Sequence, residues 1–411
     1  MAAQPGMRAA CKSILTINGG SSSIKFALFE ANRSLRERLT GEIERIGSPD
    51  AVLSVHRSAW GTAYTQPLAA TGYQGATLAL LDWAAQHEEE IGLVAVGHRV
   101  VHGGPDCHAP QRVSPRLADA LRALVPLDPE HLPGEIALIE AFGRRFSDLP
   151  QVACFDTAFH HALPRVAQLL PIPRRYDALG LRRYGFHGLS YEFLMGELLR
   201  AEGAAVAHGR VILAHLGNGA SLAAVRDGQP VDTSMGLTPA GGVMMGTRTG
   251  DLDPGLGGYL ARTEGLDAEG FNHMVNFESG LLGLSETSAD MRDLLGVETQ
   301  DVRAAEAVAL FCHQVTKSIG AFAAALGGLD ALVFAGGIGE HAPVIRARIC
   351  SALGFLGIDL DAPRNDANVG LISTDAGRVR VRVMRTNEAL VIARATRQLL
   401  GLDHADDASP P

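Results

Sequence analysis

Cysteine, excess positive charge and long apolar runs are all scarce in this sequence of 411 residues. The five cysteines are scattered and form no C-x-x-C pair, which argues against a zinc site or a disulfide framework and predicts a reducing, cytoplasmic setting. The most apolar segment, residues 319–339, is interrupted by Gly327, Gly328 and Asp330. It is therefore predicted to form a buried helix, a turn and a buried strand, not a membrane span. No apolar core of a signal peptide precedes the first predicted strand.

The charge balance argues against nucleic acid as a partner bound through a broad basic face, although it leaves room for a local basic cleft. Acidic residues outnumber basic ones by 45 to 36, and the net charge is −9. A broad basic face for nucleic acid is therefore not expected. Hydrophobic residues at 46% and charged residues at 20% are typical of a globular protein, and the length is sufficient for two domains with separate cores.

Three common catalytic signatures are missing. The glycine-rich stretch at residues 16–29, "TINGGSSSIKFALF", lacks the G-x-x-x-x-G-K-[ST] spacing of a P-loop, and no helical pattern follows it. It also lacks the G-x-G-x-x-G of a dinucleotide-binding turn. No G-x-S-x-G elbow is present, which argues against a Ser-His-Asp hydrolase.

Short apolar runs alternate with longer helical patterns along the chain, and this predicts an α/β protein with buried strands. Several of these runs end in polar residues or glycine, and in open α/β sheets ligands bind at such strand ends. The predicted core strands are "SILTING", "LVAVGHRVV", "QVACFDT", "RVILAHLGNG", "ALVFAGGIG" and "VRVMRTNE".

One sequence pattern occurs twice, about half the chain apart. Residues 18–21, Asn-Gly-Gly-Ser, and residues 218–221, Asn-Gly-Ala-Ser, each lie between two apolar runs. A chance pair of ordinary hairpin turns is one interpretation. The matching flanks favour a second one, a duplicated domain whose two glycine hairpins each bind part of a phosphate chain through backbone N–H groups.

Several polar residues follow predicted strands. Arg99, beside glycines, is suited to binding a carboxylate or phosphate as a fork, although pairing with a surface acid is the commoner role of an arginine. Asp156 ends an apolar strand, where it requires a partner or a metal, or else caps a helix. His187 lies between glycines in a predicted loop. Together with Arg248, which lies in a glycine-rich loop at residues 244–255, these are parts that phosphoryl transfer requires.

Three further segments carry specific local predictions. In residues 288–294, Ser288 is predicted to cap a helix with Asp290 in its first turn. In residues 333–341 a predicted buried strand ends at Gly336, Gly337 and Gly339, and these glycines predict a loop whose backbone can approach a flat or charged ligand closely. Glu388 follows the last predicted core strand, as a helix cap or a metal ligand.

Taken together, these segments resemble the acetate kinase family of kinases that form acyl phosphates. The matching blocks run in the family's order from residue 16 to residue 389, and the long central block is highly specific. They are "TINGGSSSIKF", "GHRVVHGG", "FDTAFH", "RYGFHG", "AHLGNGASL", "DTSMGLTPAGGVMMGTRTGDLDPG", "ESGLLG", "FAGGIGEH" and "TNEA".

The resemblance implies a duplicated ribonuclease-H-like fold, similar to actin and hexokinase, with a cleft between two domains that close on ATP. The implied N-terminal domain comprises residues 1–157 plus 388–411, and the nucleotide-binding domain comprises residues 158–387. It also implies a homodimer.

The resemblance assigns roles to residues around the phosphates and the acid. Asn18 and Glu388 are implied to bind Mg²⁺, with Mn²⁺ as an alternative, and Lys25 to contact an ATP phosphate. Arg99 is implied to bind the substrate carboxylate, and Asp156 is the family's active-site carboxylate.

Further roles concern the transferring group, the acyl pocket and the nucleotide. His187 and Arg248 are implied to stabilise the phosphoryl group in transfer. Val101, Phe186 and Pro239 match positions of the small apolar pocket for the acyl methyl. The implied contacts of ATP or ADP are His215, Leu216, Gly217, Asn218, Gly219, Asp290, Met291, Arg292, Gly337, Ile338, Gly339, Glu340 and His341.

The sequence departs from the family pattern at two places. His341 stands where many members have asparagine, and residues 125–136, "VPLDPEHLPGEI", stand where the acyl-pocket loop usually resembles "PLHNPAN". One methylene in an apolar pocket changes selection by only about 1–3 kcal/mol. The resemblance makes acetate the first expected substrate. Because the pocket loop departs from the family pattern, propionate and butyrate are the alternatives. A non-catalytic nucleotide switch, like actin or the heat-shock chaperones, is the alternative from a different class.

Overall fold

The computed structural model describes residues 12–20, 22–57, 63–68 and 72–402. Ser21, part of the first glycine pattern, and Cys11 lie outside the described residues. The chain divides into two compact units. Unit 1 comprises Met1–Ala158 and Asn387–Pro411, and unit 2 comprises Phe159–Thr386. These limits lie one residue away from the domain limits expected from the sequence.

Unit 1 contains an eight-stranded sheet in the order β5-β4-β3-β2-β1-β6-β8-β7. Strands β1, β2 and β3 pair antiparallel, whereas β1, β6 and β8 run parallel. The strands are β1 (Ser13–Gly19), β2 (Ile24–Glu30), β3 (Glu37–Glu44), β4 (Val52–Arg57), β5 (Tyr64–Pro67), β6 (Leu93–Val100), β7 (Gln111–Arg112) and β8 (Gln151–Phe155).

Four α-helices alternate with the later strands in the first chain segment of unit 1. They are α1 (Gly72–Gln86), α2 (Glu88–Ile91), α3 (Pro115–Leu124) and α4 (Leu132–Arg145). Leu138 and Phe142 of α4 pack with Leu80 and Leu81 of α1 and with the buried strand residues in one apolar core. That core fixes α4 against the sheet, close to the ends of β1 and β6.

Unit 2 contains a five-stranded sheet in the order β11-β10-β9-β12-β13. Strands β9, β10 and β11 pair antiparallel, whereas β9, β12 and β13 run parallel. The strands are β9 (Arg210–Leu216), β10 (Ala220–Arg226), β11 (Gln229–Thr233), β12 (Ala331–Ala335) and β13 (Arg380–Val383).

The two sheets share one topology. In chain order, five strands of each sheet are arranged 3-2-1-4-5, with the second strand antiparallel to both of its neighbours. Each predicted glycine hairpin connects the first and second of these strands. The prediction of a duplicated α/β fold is therefore confirmed, and all six predicted core strands are present.

The helices of unit 2 surround its sheet. They are α5 (Arg165–Gln168), α6 (Arg174–Asp177), α7 (Gly188–Glu202), α8 (Ala204–Ala207), α9 (Gly255–Thr263), α10 (Ala268–Phe277), α11 (Gly280–Ser285), α12 (Met291–Val297), α13 (Val302–Leu326), α14 (Gly336–His341), α15 (Pro343–Ser351) and α16 (Ala362–Asp366). The predicted buried helix, turn and strand at residues 319–339 correspond to the end of α13, Gly327–Gly328 and β12. Among the described residues, no helix combines the length and the hydropathy needed to cross a membrane.

The last helix, α17 (Glu388–Leu400), belongs to unit 1. It crosses the sheet at Gly97 of β6, where an added Cβ would lie 2.4 Å from Thr396 Oγ1 and 2.5 Å from Ile392 Cγ2. Glycine is required there because the helix approaches the strand so closely. This packing places the first residue of α17, Glu388, beside the end of β1.

Candidate active site

Arg99 and Asp156 meet at the ends of two parallel strands of unit 1. Arg99 lies near the end of β6 and Asp156 directly follows β8, and these strands are neighbours in the sheet. Both Nε and Nη2 of Arg99 donate to Asp156 Oδ2, at 3.0 and 2.5 Å. The side chains are 14% and 1% exposed. Arg99 pairs with a buried carboxylate, so the interpretation of Arg99 as part of a surface ion pair is wrong, and Asp156 has the partner that its burial requires.

The surroundings of Arg99 maintain its charge. Burial alone lowers its pKa, but the nearby carboxylates of Asp156 and Glu135 outweigh that effect and raise the pKa above its ordinary value. A guanidinium held in this way is a fixed cation with a planar array of donors. It is suited to binding a carboxylate or a phosphate oxygen.

Asn18 and Glu388 are brought together although they are far apart in sequence. Asn18 Nδ2 donates to Glu388 Oε2 at 2.8 Å. Lys25 lies directly opposite Asn18 in the antiparallel pair of β1 and β2, so both side chains lie on one face of the sheet. The helix cap of α17 is Asn387, whose Oδ1 accepts from Leu390 N at 2.9 Å. The interpretation of Glu388 as a cap is therefore wrong.

Glu135 is a residue of this region that the sequence prediction missed. Its Oε1 lies 3.5 Å from Arg99 Nη1, and its Oε2 accepts from Val101 N at 2.9 Å. A signal was available in the sequence. Glu135 falls on the apolar stripe of α4 that contains Leu132, Ile136 and Ile139, which places a carboxyl group on the buried face of a helix.

In unit 2, His187 is held in place by its backbone and its ring. It precedes α7 with a φ of 59°, and its Nδ1 lies 2.8 Å from Ser221 Oγ. Tyr191 also hydrogen-bonds Ser221 Oγ. The ring stacks on His215, with centroids 4.3 Å apart and an interplanar angle of 23°. Ser221 and Tyr191, which the sequence prediction did not select, thus fix the orientation of the His187 ring, with Nε2 close to Gly219.

His187 and Arg248 converge on the second glycine hairpin. A Cβ added to Gly219 would lie 3.2 Å from Arg248 Nη2 and 3.4 Å from His187 Nε2. Arg248 is oriented by Pro239, whose carbonyl oxygen accepts from Nη1 at 2.9 Å. The structure therefore brings together two of the predicted residues, His187 and Arg248, beside the hairpin backbone at Gly219.

The three residues predicted for the acyl pocket are divided between the units. Val101 is buried in unit 1, and Phe186 is buried in unit 2, where its carbonyl oxygen is 3.0 Å from His160 Nε2. Burial lowers the pKa of His160 to about 4, so this histidine is neutral and structural at physiological pH. The carbonyl of Pro239 holds Arg248, as described above.

Most of the predicted nucleotide contacts line one cavity of unit 2, with a volume of about 670 Å³. Eight predicted residues lie in its wall: Gly217, Asn218, Asp290, Met291, Arg292, Gly337, Ile338 and His341. Five residues missed by the prediction complete it: Ala289, Leu295, Ala342, Pro343 and Val344. The remaining predicted contacts, His215, Leu216, Gly219, Gly339 and Glu340, are not among the lining residues.

Two local predictions in this cavity wall are wrong. The cap of α12 is Asp290, not Ser288, because Asp290 Oδ1 accepts from Arg292 N at 2.8 Å. The predicted strand at the start of residues 333–341 is present as β12, but the glycine loop predicted after it is a helix, α14. Gly336 makes this sharp junction with a φ of +76°, and an added Cβ there would lie 2.7 Å from Leu216 O.

A model of the Acetokinase family matches residues 13–394 of this chain. The chain belongs to the acetokinase family. The resemblance recognised in the sequence is thereby confirmed, and with it the actin- and hexokinase-like fold class. The chain is a phosphotransferase with a carboxyl group as acceptor, which excludes the alternative of a non-catalytic nucleotide switch.

The relatives of this chain include both acetate kinases and propionate kinases. The chain is 45% identical over 387 residues to an acetate kinase of Rhodopseudomonas palustris, covering 93% of this chain and 96% of the relative. It is 41% identical over 386 residues to a propionate kinase of Citrobacter rodentium, covering 93% and 95%. A crystal structure of a propionate kinase from Francisella tularensis superposes with a TM-score of 0.88 at 35% identity, covering 94% of this chain and 99% of that one.

Proposed function

We propose that this chain transfers the γ-phosphoryl group of ATP reversibly to a short-chain carboxylate, with acetate as the first candidate substrate and propionate as the second. The observation that carries the proposal is the buried, carboxylate-oriented guanidinium of Arg99 in unit 1. An anionic acceptor requires a fixed cation in a site with little water, and the ion pair with Asp156 keeps Arg99 in one orientation.

The acceptor requires no strong general base. A carboxylic acid is already ionised at neutral pH, so the main obstacle is repulsion between its charge and that of the γ-phosphate. The transferring group resembles metaphosphate, with negative charge spread over its equatorial oxygens. His187 and Arg248, whose donor atoms converge at Gly219, are proposed to stabilise that charge, while Arg99 holds the acceptor.

Trapping the product with hydroxylamine tests the proposal and ranks the acids. We expect hydroxamate to form from acetate and from propionate in the presence of ATP and Mg²⁺. We expect kcat/KM to differ between them by a factor within about 10–200, because one methylene changes pocket affinity by only about 1–3 kcal/mol. Butyrate and an assay without ATP serve as comparisons. Formation of no hydroxamate from any acid would reject the proposal.

Asn18 and Glu388 are the residues proposed to hold Mg²⁺. Magnesium prefers oxygen ligands and commonly takes only one or two carboxylates from the protein, with phosphate and water completing the shell. Because the amide nitrogen of Asn18 faces Glu388, its amide oxygen is the atom it would offer to a cation. Among the described residues, no group of three or more His, Cys, Asp or Glu side chains forms a complete metal site, in keeping with a cation that shares ligands with the nucleotide. When bound, the metal would neutralise phosphate charge.

Replacing Glu388 with alanine is expected to weaken divalent-cation binding by about tenfold or more, since even residues that only orient metal ligands affect affinity on that scale. The titration of free Mn²⁺ by electron paramagnetic resonance, with ADP present, measures this directly. Glu264→Ala, an exposed glutamate of unit 2, is the matched control. Unchanged Mn²⁺ affinity in the Glu388 variant would remove Glu388 from the metal site.

Assembly as a homodimer and location in the cytoplasm stay predictions.

A further inference from the structure

Glu135 is a carboxyl group inside unit 1 that none of the proposed catalytic steps uses. It is 2% exposed and lies on the buried face of α4. Acidic side chains are almost never fully buried without a partner or a function. The contacts of its two carboxyl oxygens therefore indicate the role of Glu135.

Both oxygens of Glu135 contact residues assigned to the acid substrate. Oε1 is 3.5 Å from Nη1 of Arg99, the proposed carboxylate-binding group. Oε2 accepts from the backbone of Val101, whose side chain is assigned to the acyl methyl. The protein thus places a carboxyl group of its own against the elements that would recognise a substrate carboxylate.

The donors of Arg99 show where the substrate and Glu135 would meet. Nε and Nη2 are directed at Asp156. The remaining terminal nitrogen, Nη1, donates to Gly19 O at 3.4 Å and faces Glu135. A substrate carboxylate that approaches Nη1 must therefore share this part of the guanidinium with Glu135.

The charge of Glu135 decides whether that sharing is favourable. When Glu135 is ionised, Arg99 has two anionic partners, and a third carboxylate is repelled in a poorly solvated site. When Glu135 is protonated, Arg99 and Asp156 balance each other. An incoming carboxylate then meets the guanidinium without a competing anion.

We propose that Glu135 is a proton-dependent specificity residue of the acid site, which admits the substrate carboxylate to Arg99 when it is protonated and competes with it when it is ionised. This inference rests on the proposed function. Its chemistry applies to any short carboxylate and does not depend on the acyl chain.

The Glu135 carboxyl group changes its protonation state in a pH range in which the enzyme can be assayed. Burial raises its pKa to about 8, and although Arg99 lowers the value, Asp128 and Asp156 oppose that lowering. The groups that face Glu135 come from several elements: Arg99 from β6, Asp156 after β8, Asp128 before α4 with its partner His131, and Tyr73 from α1. The carboxyl group is therefore mainly protonated at pH 7 and mainly ionised at pH 9.

The expected result is a pH-dependent KM for the acid. If only the protonated form binds well, the competent fraction falls about tenfold between pH 7 and pH 9, and KM for the acid rises by about the same factor. In Glu135→Gln that rise is expected to disappear, while the KM for ATP keeps the same pH profile in both proteins. Glu140→Gln, the next acid along α4, is the matched control. Parallel acid-KM profiles in wild type and Glu135→Gln would overturn the proposal.

A second measurement uses the wild-type protein alone and does not depend on the folding of a variant. Calorimetric titration of the acid in buffers of different ionisation enthalpy reports the protons taken up on binding. We expect uptake of close to one proton at pH 9 and almost none at pH 6.5. Binding without proton uptake at pH 9 would overturn the role of Glu135 and leave the proposed function intact. Failure of every acid to bind and to give hydroxamate would reject both.

Discussion

Replacing Arg248 with alanine is expected to lower kcat by about 10³-fold or more, the scale on which arginine fingers act in phosphoryl transfer. The guanidinium is fixed by the carbonyl of Pro239, and its Nη2 points toward Gly219 together with His187 Nε2. A cation that is oriented before the reaction stabilises charge that develops in the transition state without the cost of reorganisation. Its loss is therefore expected to affect the chemical step more than substrate binding.

Steady-state kinetics with separate titrations of the acid and of ATP distinguish these effects. Arg262→Ala, which removes an exposed arginine from α9 of the same unit, is the matched control and is expected to retain wild-type rates. Arg248→Lys retains the charge but not the planar fork, so an intermediate kcat is expected. A change in KM alone, with kcat preserved, would reject the proposed role.

The fold was largely predictable because its signals are local. The six core strands are short apolar runs that end in glycine or polar residues, and the two hairpins around Asn18 and Asn218 repeat one pattern. The strand order 3-2-1-4-5 depends on the pairing of the first and fourth strands, which lie about 80 residues apart in unit 1 and about 120 residues apart in unit 2. No short-range pattern encodes that pairing. The family resemblance implied the duplicated fold, but the order of the strands was not predicted.

The helix α14 shows why one local prediction failed. Three of its six residues are glycines, each of which disfavours a helix by about 1 kcal/mol relative to alanine. The helix forms because Arg346, which is fully buried, donates to the carbonyls of Gly339 and Glu340 at 2.9 and 3.1 Å. A tertiary contact thus outweighs the local propensity.

The site residues divide in a similar way. Arg99, Asp156, His187 and Arg248 were identifiable from the sequence because they follow strands or lie in glycine-rich segments. Glu135 was missed, because the sequence does not show that a glutamate on the apolar stripe of α4 faces a guanidinium. Side chains that act on another side chain across the fold leave only such indirect signals.

Replacing Asp156 with asparagine is expected to lower kcat/KM by about 10²-fold or more. Asparagine keeps the shape of the side chain but removes the charge that directs Nε and Nη2 of Arg99. A misplacement of about 1 Å in a group that positions a reactant is sufficient for a loss of this size. Asp119→Asn, at an exposed ion pair with Arg122 in the same unit, is the matched control and is expected to be neutral.

The stability of this variant depends on Glu135. Breaking a buried ion pair by removing one partner usually costs about 3–5 kcal/mol, since the other charge is left uncompensated. Glu135 lies 3.5 Å from the same guanidinium, so in Asp156→Asn its ionisation supplies a replacement anion and offsets part of that cost. The double variant Asp156→Asn, Glu135→Gln removes both anions. Its loss of unfolding free energy, measured by urea denaturation, is therefore expected to exceed the sum of the two single losses by about 0.5–3 kcal/mol. Additive losses would mean that Glu135 does not compensate for Asp156 at Arg99.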